Sequence, residues 1–190
     1  MAQCLRLSQD IRQKKSTTTQ KKNIKVKVEK VLNQTKTKQI KIIGIGNTLY
    51  SDEGVGVHLL PYLEEALGGF DNIELIEGAT DGMRLLEPVE EADYLIIIDA
   101  INAGKPGGEL ITIRNEEIPK YYGVKMSVHQ VGFQEVLFAA DLQGRTPEDM
   151  VMFGIQPASL ELGLELSETV KSKVPELVAS IVEQVRKWSE

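Results

Sequence analysis

Residues 94–101 read YLIIIDAI, and four consecutive apolar side chains, Leu95 to Ile98, end there on a carboxylate, Asp99. A run with no polar alternation suits a strand buried on both faces, and such strands belong to parallel sheets covered by helices. The flanking segments extend the pattern. IKIIGIG (40–46), IELIEG (73–78) and VMFGIQP (151–157) read as further strands, while GELITIR (108–114) alternates and suits an edge. Between them lie segments with helical spacing. VGVHLLPYLEEAL (55–67) contains Pro61, which is expected to kink the helix or shift its boundary. GATDGMRLLEPV (78–89) reads as a turn with a short helix, and SVHQVGFQEVLFAADL (127–142) opens on a Ser127/Gln130 capping box. From Ser167 to Trp188 the apolar positions 170, 174, 177, 178, 181, 182, 185 and 188 trace one helical face, with Trp188 in the core or at its rim. The alternation predicts an α/β fold: a three-layer sandwich around a mostly parallel, twisted sheet of about five strands, with helices on both faces.

The chain has 190 residues, 42% hydrophobic and 26% charged, which fits one soluble domain. It contains no apolar run near the roughly 18 residues of a membrane span, and its N-terminus carries no secretory apolar segment. The single cysteine, Cys4, excludes an internal disulfide and supplies neither a zinc cluster nor a thiol nucleophile within the fold. A reducing cytoplasm is the expected location. Charge is divided unevenly. Residues 1–39 hold 11 Lys/Arg against Asp10 and Glu29, whereas residues 40–190 hold 11 against 26 Asp/Glu. The tail, rich in Lys, Thr and Gln, is expected to be a disordered basic extension, and residues 40–190 the folded domain. An acidic body argues against nucleic acid or an anionic membrane as the main partner and suits a basic or metal-bearing one.

Ligands of open α/β sheets collect beyond the carboxyl ends of the strands. Three loops place a metal-ligating side chain there. Glu53 follows the first strand in GIGNTLYSDEGVG (44–56), Asp99 ends the 94–101 run, and His129 lies in the first turn of the 127–142 helix. The positive end of a helix dipole disfavours imidazolium, which keeps His129 neutral and able to bind a metal. Each residue also has an ordinary structural role open to it: favouring a helix N-terminus, capping a turn, or acting as a satisfied core histidine. His58 reads as a surface residue in mid-helix, Ser51 and Ser127 as loop and cap residues, and Asp52 as the cap of the 55–67 helix. A dinucleotide site is disfavoured. Leu49 stands where G-x-G-x-x-G needs its third glycine, and Asp52 and Glu53 would face a pyrophosphate. A serine triad lacks its G-x-S-x-G and has only two histidines to draw on.

GIGNTLYSDEGVGV, EGATDGMRLL, LIIIDA, SVHQVG and FGIQP, in this order and spacing, resemble the hydrogenase maturation endopeptidases over about residues 40–188. The resemblance implies a protease that removes the C-terminal peptide from the precursor large subunit of a nickel–iron hydrogenase. It implies that Glu53, Asp99 and His129 bind nickel, and that Gly78, Ala79, Thr80, Asp81 and Gly82 form a substrate-recognition loop. Two oxygen ligands and one imidazole make a hard, unselective set with open positions, suited to a nickel carried by the precursor rather than held permanently. The metal would act as a Lewis acid or as a handle that positions the substrate, and Asp52 or Glu53 are candidates to assist a water. Three features depart from the family pattern: Ala79 in place of a glycine, Pro61, and the basic extension. A non-catalytic nickel-sensing or chaperone-like module with the same fold is the alternative reading. The protein is expected to be a monomer with no nucleic-acid or membrane partner.

Overall fold

The computed structural model describes residues 37–79, 82–124 and 131–190. The chain divides into two units, Met1–Thr37 and Lys38–Glu190, and the second is the α/β domain described below. Its strands are β1 (Ile40–Ile45), β2 (Ile73–Ala79), β3 (Tyr94–Ala100), β4 (Leu110–Arg114) and β5 (Asp149–Ile155). They form one sheet in the order β2-β1-β3-β5-β4. All neighbours pair in parallel except β4, which runs antiparallel to β5 at the edge. The helices are α1 (Val55–Leu67), α2 (Leu86–Glu91), α3 (Glu117–Val124), α4 (Val131–Leu142), α5 (Glu168–Lys171) and α6 (Val174–Ser189). Short 3-10 turns at Ser51–Gly54 and Gly82–Leu85 lead into α1 and α2.

The unbroken apolar run of β3 divides its side chains between two cores. Ile96 and Ile98 join Ile40, Ile42, Val151 and Phe153 under α1, α5 and α6. Leu95 and Ile97 join Ile43, Met150 and Met152 under α2, α3 and α4. Successive strand residues point to opposite faces, so a strand buried on both sides can bear no polar alternation. Fully burying each such side chain contributes roughly 1.5–3 kcal/mol. The three-layer sandwich follows.

Some local readings change. Helix α1 runs unbroken through Pro61, because Val55, Leu59, Leu63 and Leu67 are buried at spacings of four while Pro61 is exposed. The stretch read as one helix from Ser167 is two. Ser167 caps α5 through Val170 N (3.3 Å), and Pro175 opens α6 after a break at Ser172–Lys173. Val170 and Val174 keep a spacing of four across the break, so both still face the core. Helix α3 was not foreseen; Ile118 and Tyr122 anchor it. Trp188 stacks on Tyr94 with centroids 4.9 Å apart and donates to Asp149 Oδ2 (2.9 Å), a rim position.

The fold begins two residues before β1. The Lys38 carbonyl accepts from Asn72 Nδ2 (2.7 Å), Lys38 Nζ pairs with Glu148, and Gln39 N donates to Asp93 Oδ2 (2.8 Å). Residues 1–36 lie outside the description and carry no sustained apolar face in sequence. Deleting residues 1–36 is therefore expected to leave the melting temperature within about 2 °C, under ~0.5 kcal/mol. A cut after Gln39 should cost more, about 1 kcal/mol for each backbone hydrogen bond lost. Thermal denaturation of the two truncations checks this, and an insoluble 37–190 fragment would refute it.

Candidate functional site

The sheet reverses its winding between β1 and β3: β2 lies on one side of β1, and β3, β5 and β4 on the other. A crevice forms beyond the carboxyl ends at such a switch point. The 51–54 turn follows β1 there and contacts β3. Glu53 lies in this turn, half-buried, and Asp99 is the penultimate residue of β3, only 3% exposed. Two of the three nominated residues thus lie on adjoining elements at one sheet edge. His129 lies outside the described residues, as do Thr80, Asp81, Ser127 and Gln130.

The glycines of the first loop serve backbone contact rather than phosphate. Gly46 adopts φ 137°, and a Cβ there would come within 1.9 Å of the Glu53 carbonyl oxygen. Any side chain would push away the turn that holds Glu53. Gly56 sits in the first turn of α1, where a Cβ would fall 2.3 Å from the carbonyl oxygens of both Ile45 and Ile98. The helix start rests directly on the ends of β1 and β3. Close helix packing, which the dinucleotide fingerprint assigns to its third glycine, here falls to Gly56 instead. With carboxylates beside that helix start, titration calorimetry with NAD or ATP is expected to give no binding below millimolar concentration. Micromolar binding would contradict this reading.

Asp52 is the residue whose role sequence misjudged. It does not cap α1, whose N-cap is Gly54. Its carboxylate is fully buried and accepts four hydrogen bonds: from Ala158 N and Ser159 N at 2.8 Å, Ser167 N at 2.7 Å and Ser167 Oγ at 2.8 Å. It ties the loop after β5 to the Glu53 turn, and this geometry gives it a scaffolding role rather than that of a general base. Ser51 works alongside. Its N–H donates to the Gly163 carbonyl (2.7 Å) and its hydroxyl to that of Glu165 (3.0 Å). These contacts hold Ser51 at φ 45°, a conformation that costs a non-glycine residue of order 1–3 kcal/mol. Gln156, 6% exposed, does the same for the loop after β3, accepting from Ala103 N (2.8 Å) and Lys105 N (3.1 Å). His58 is half-buried rather than a surface residue. Among the described residues its Nε2 is enclosed without a hydrogen-bond partner, and its ring packs against Gly54 and hence the same turn.

Asp99 points to the α3 side of the sheet, where the buried Tyr122 hydroxyl donates to its Oδ2 in a long bond of 3.5 Å. Burial, and then the charge of Asp99, push the Tyr122 phenol well above its ordinary range. Tyr121 is raised for the same two reasons in the same order. Tyr122 therefore remains a protonated donor beside the carboxylate at neutral pH.

The second loop lies next to the first. Ala79 ends β2 opposite Ile45 in the β1 ladder, after a register shift at Gly44/Ile45. At the far side of that loop Gly82 packs on the start of α4, where a Cβ would meet the Gly132 backbone at 2.4 Å. Among the described residues, one surface groove runs along α1 and β2 and another between α3 and α4; neither is lined by Glu53 or Asp99.

Comparison with known proteins identifies the family and the fold. The family model "Hydrogenase maturation protease" matches residues 57–184, a span that includes Asp99 and His129 and begins after Glu53. The hydrogenase expression/formation protein HupD of Rhizobium leguminosarum bv. viciae is 40% identical over 152 residues, 79% of this chain and 75% of its own. The hydrogenase 2 maturation protease of Escherichia coli K12 is 34% identical, over 78% of this chain and 91% of its own. Among solved structures, the hydrogenase maturating endopeptidase HybD from E. coli superposes with a TM-score of 0.72 at 33% identity, covering 78% and 93% of the two chains. The [NiFe] hydrogenase maturation protease HybD from Thermococcus kodakarensis gives 0.62 at 29% identity, covering 77% and 98%.

Proposed function

Because the chain belongs to the hydrogenase maturation protease family, we propose that it is the endopeptidase that trims the C-terminal peptide from a nickel–iron hydrogenase large-subunit precursor in the cytoplasm, after nickel has been inserted. Nickel enters as part of the substrate. Glu53, Asp99 and His129 are the residues that contact it. The observation that carries this reading is the meeting of the Glu53 turn with the Asp99 end of β3 at the switch point of the sheet.

The donor set fits that role. The half-buried Glu53 is held by a turn that the Gly46 and Gly56 contacts fix in place. Asp99 is buried, with the Tyr122 hydroxyl on one oxygen. Carboxylates with imidazole bind a free divalent ion modestly, whereas a metal already held by softer precursor ligands needs only complementary contacts. A carboxylate of either residue that touches the metal also fixes the precursor's position, so the scissile bond is oriented by the same contact that reads the cargo. The bound metal, as Lewis acid, would polarise a carbonyl brought against it.

The test is the intact mass of purified large-subunit precursor after mixing with this protein. Nickel-loaded precursor is expected to lose its C-terminal peptide and nickel-free precursor to remain whole. Efficient cleavage without nickel would refute the metal-reading step, and binding without any cleavage would favour the non-catalytic module.

A further inference from the structure

Two loops at the site expose an unusual amount of apolar surface. Leu49 and Tyr50, in the turn that leads to Glu53, are 55% and 39% exposed; Leu160, Leu162 and Leu164, in the loop after β5, are 49%, 79% and 65% exposed. Single exposed leucines need no explanation, but five apolar residues brought together by the fold do. The backbone brings them together. Tyr50 bridges to Gly163, Gly163 N donates to the Leu49 carbonyl (3.0 Å), and Ser51 N donates to the Gly163 carbonyl (2.7 Å). Leu162 and Leu164 therefore flank the strip of chain that carries Leu49 and Tyr50. Asp52 N bonds the Ser159 carbonyl (3.3 Å), which brings Leu160 to the same seam.

The fixing is strong for a loop this exposed. The four hydrogen bonds of the buried Asp52 carboxylate and the Ser51 contacts hold residues 158–167 against the turn. Ordering an apolar loop in water gains nothing for the isolated protein. It does lower the entropy lost when the loop is covered.

We propose that Leu49, Tyr50, Leu160, Leu162 and Leu164 form the docking surface for the polypeptide substrate, and that they take an apolar segment of the precursor beside the scissile bond. This rests on the endopeptidase reading above. A protease of proteins must lay a polypeptide across the residues next to its reacting centre, and these five begin at Leu49, four residues before Glu53. The patch thus includes the chain that leads into the turn carrying Glu53. The exposed Glu161 and Glu165, interleaved with the leucines, disfavour an acidic segment there.

Steady-state cleavage of nickel-loaded precursor by the full-length protein tests the proposal. The triple variant Leu160→Ser/Leu162→Ser/Leu164→Ser is expected to raise KM about tenfold, as truncating interface anchors does, with kcat within about twofold and an unchanged melting temperature. The pair Phe138→Ser/Leu142→Ser, equally exposed but on α4 towards the start of β5, should leave KM as it is. An unchanged KM in the triple variant, beside an active wild type, would overturn the docking surface and leave the protease reading standing. Equal KM increases from both variants would also overturn it, since exposure alone would then explain the loss. A wild type that fails to cut nickel-loaded precursor would overturn the protease reading itself.

Discussion

Glu53→Gln, Asp99→Asn and His129→Ala are each expected to fold and yet to cleave nickel-loaded precursor at least a hundredfold more slowly. Outer partners of a metal site already cost about 10–100-fold when removed, and a direct ligand should cost more. Stability should hardly change for Glu53→Gln, within about 0.5 kcal/mol, because the side chain is half-buried on a turn whose shape its neighbours maintain. Asp99→Asn is isosteric and keeps an oxygen for the Tyr122 hydroxyl, so about 1 kcal/mol is expected there. The measurement pairs circular-dichroism melting with the intact mass of the precursor. A variant that melts normally and cleaves at the wild-type rate would remove its residue from the metal-reading set. Excess free nickel should not rescue the variants, since the metal is taken to arrive in the precursor.

How far these residues were readable from sequence depends on how local their reasons are. The place of Asp99 at the end of β3 was legible because a carboxylate after four buried aliphatics stands out, and the strand that carries it is defined by that same run. Glu53 was legible because the glycines around it mark a turn; that Gly46 and Gly56 serve backbone contact needed coordinates. Both α1 and the two-faced core follow from apolar spacing alone, and Pro61 shifts no boundary of α1. Helix α3 escaped notice because Glu117–Val124 carries Pro119 and, among its residues of described burial, one buried pair, Ile118 and Tyr122, too little for a period. Asp52 was misjudged for a different reason. An aspartate just before a helix ordinarily caps it, whereas its actual partners lie 106 to 115 residues further along the chain. No local pattern encodes such a contact.

That long-range clamp gives the largest expected effect on stability. Asp52→Ala is expected to cost about 3–5 kcal/mol. It leaves Ala158 N, Ser159 N and Ser167 N without their acceptor, and a buried donor stripped of its partner costs about 1–3 kcal/mol. The loop relaxes towards water, so the full sum is not reached. For a domain of this size about 2–4 °C of melting temperature goes with each kcal/mol, which predicts a fall of roughly 6–20 °C. Asp52→Asn should not restore the wild type. Oδ1 and Oδ2 both accept from N–H groups, so an amide must turn its own donor towards one of them. The pattern distinguishes a scaffold from a catalyst. A scaffold gives low melting temperatures for both variants, with cleavage measured well below the transition losing mainly affinity for the precursor, because the leucine loop is no longer held. A general base gives the opposite: Asp52→Asn melting like the wild type and failing to cleave at any precursor concentration. With the carboxylate fully buried and four donors already on it, the first outcome is the one expected.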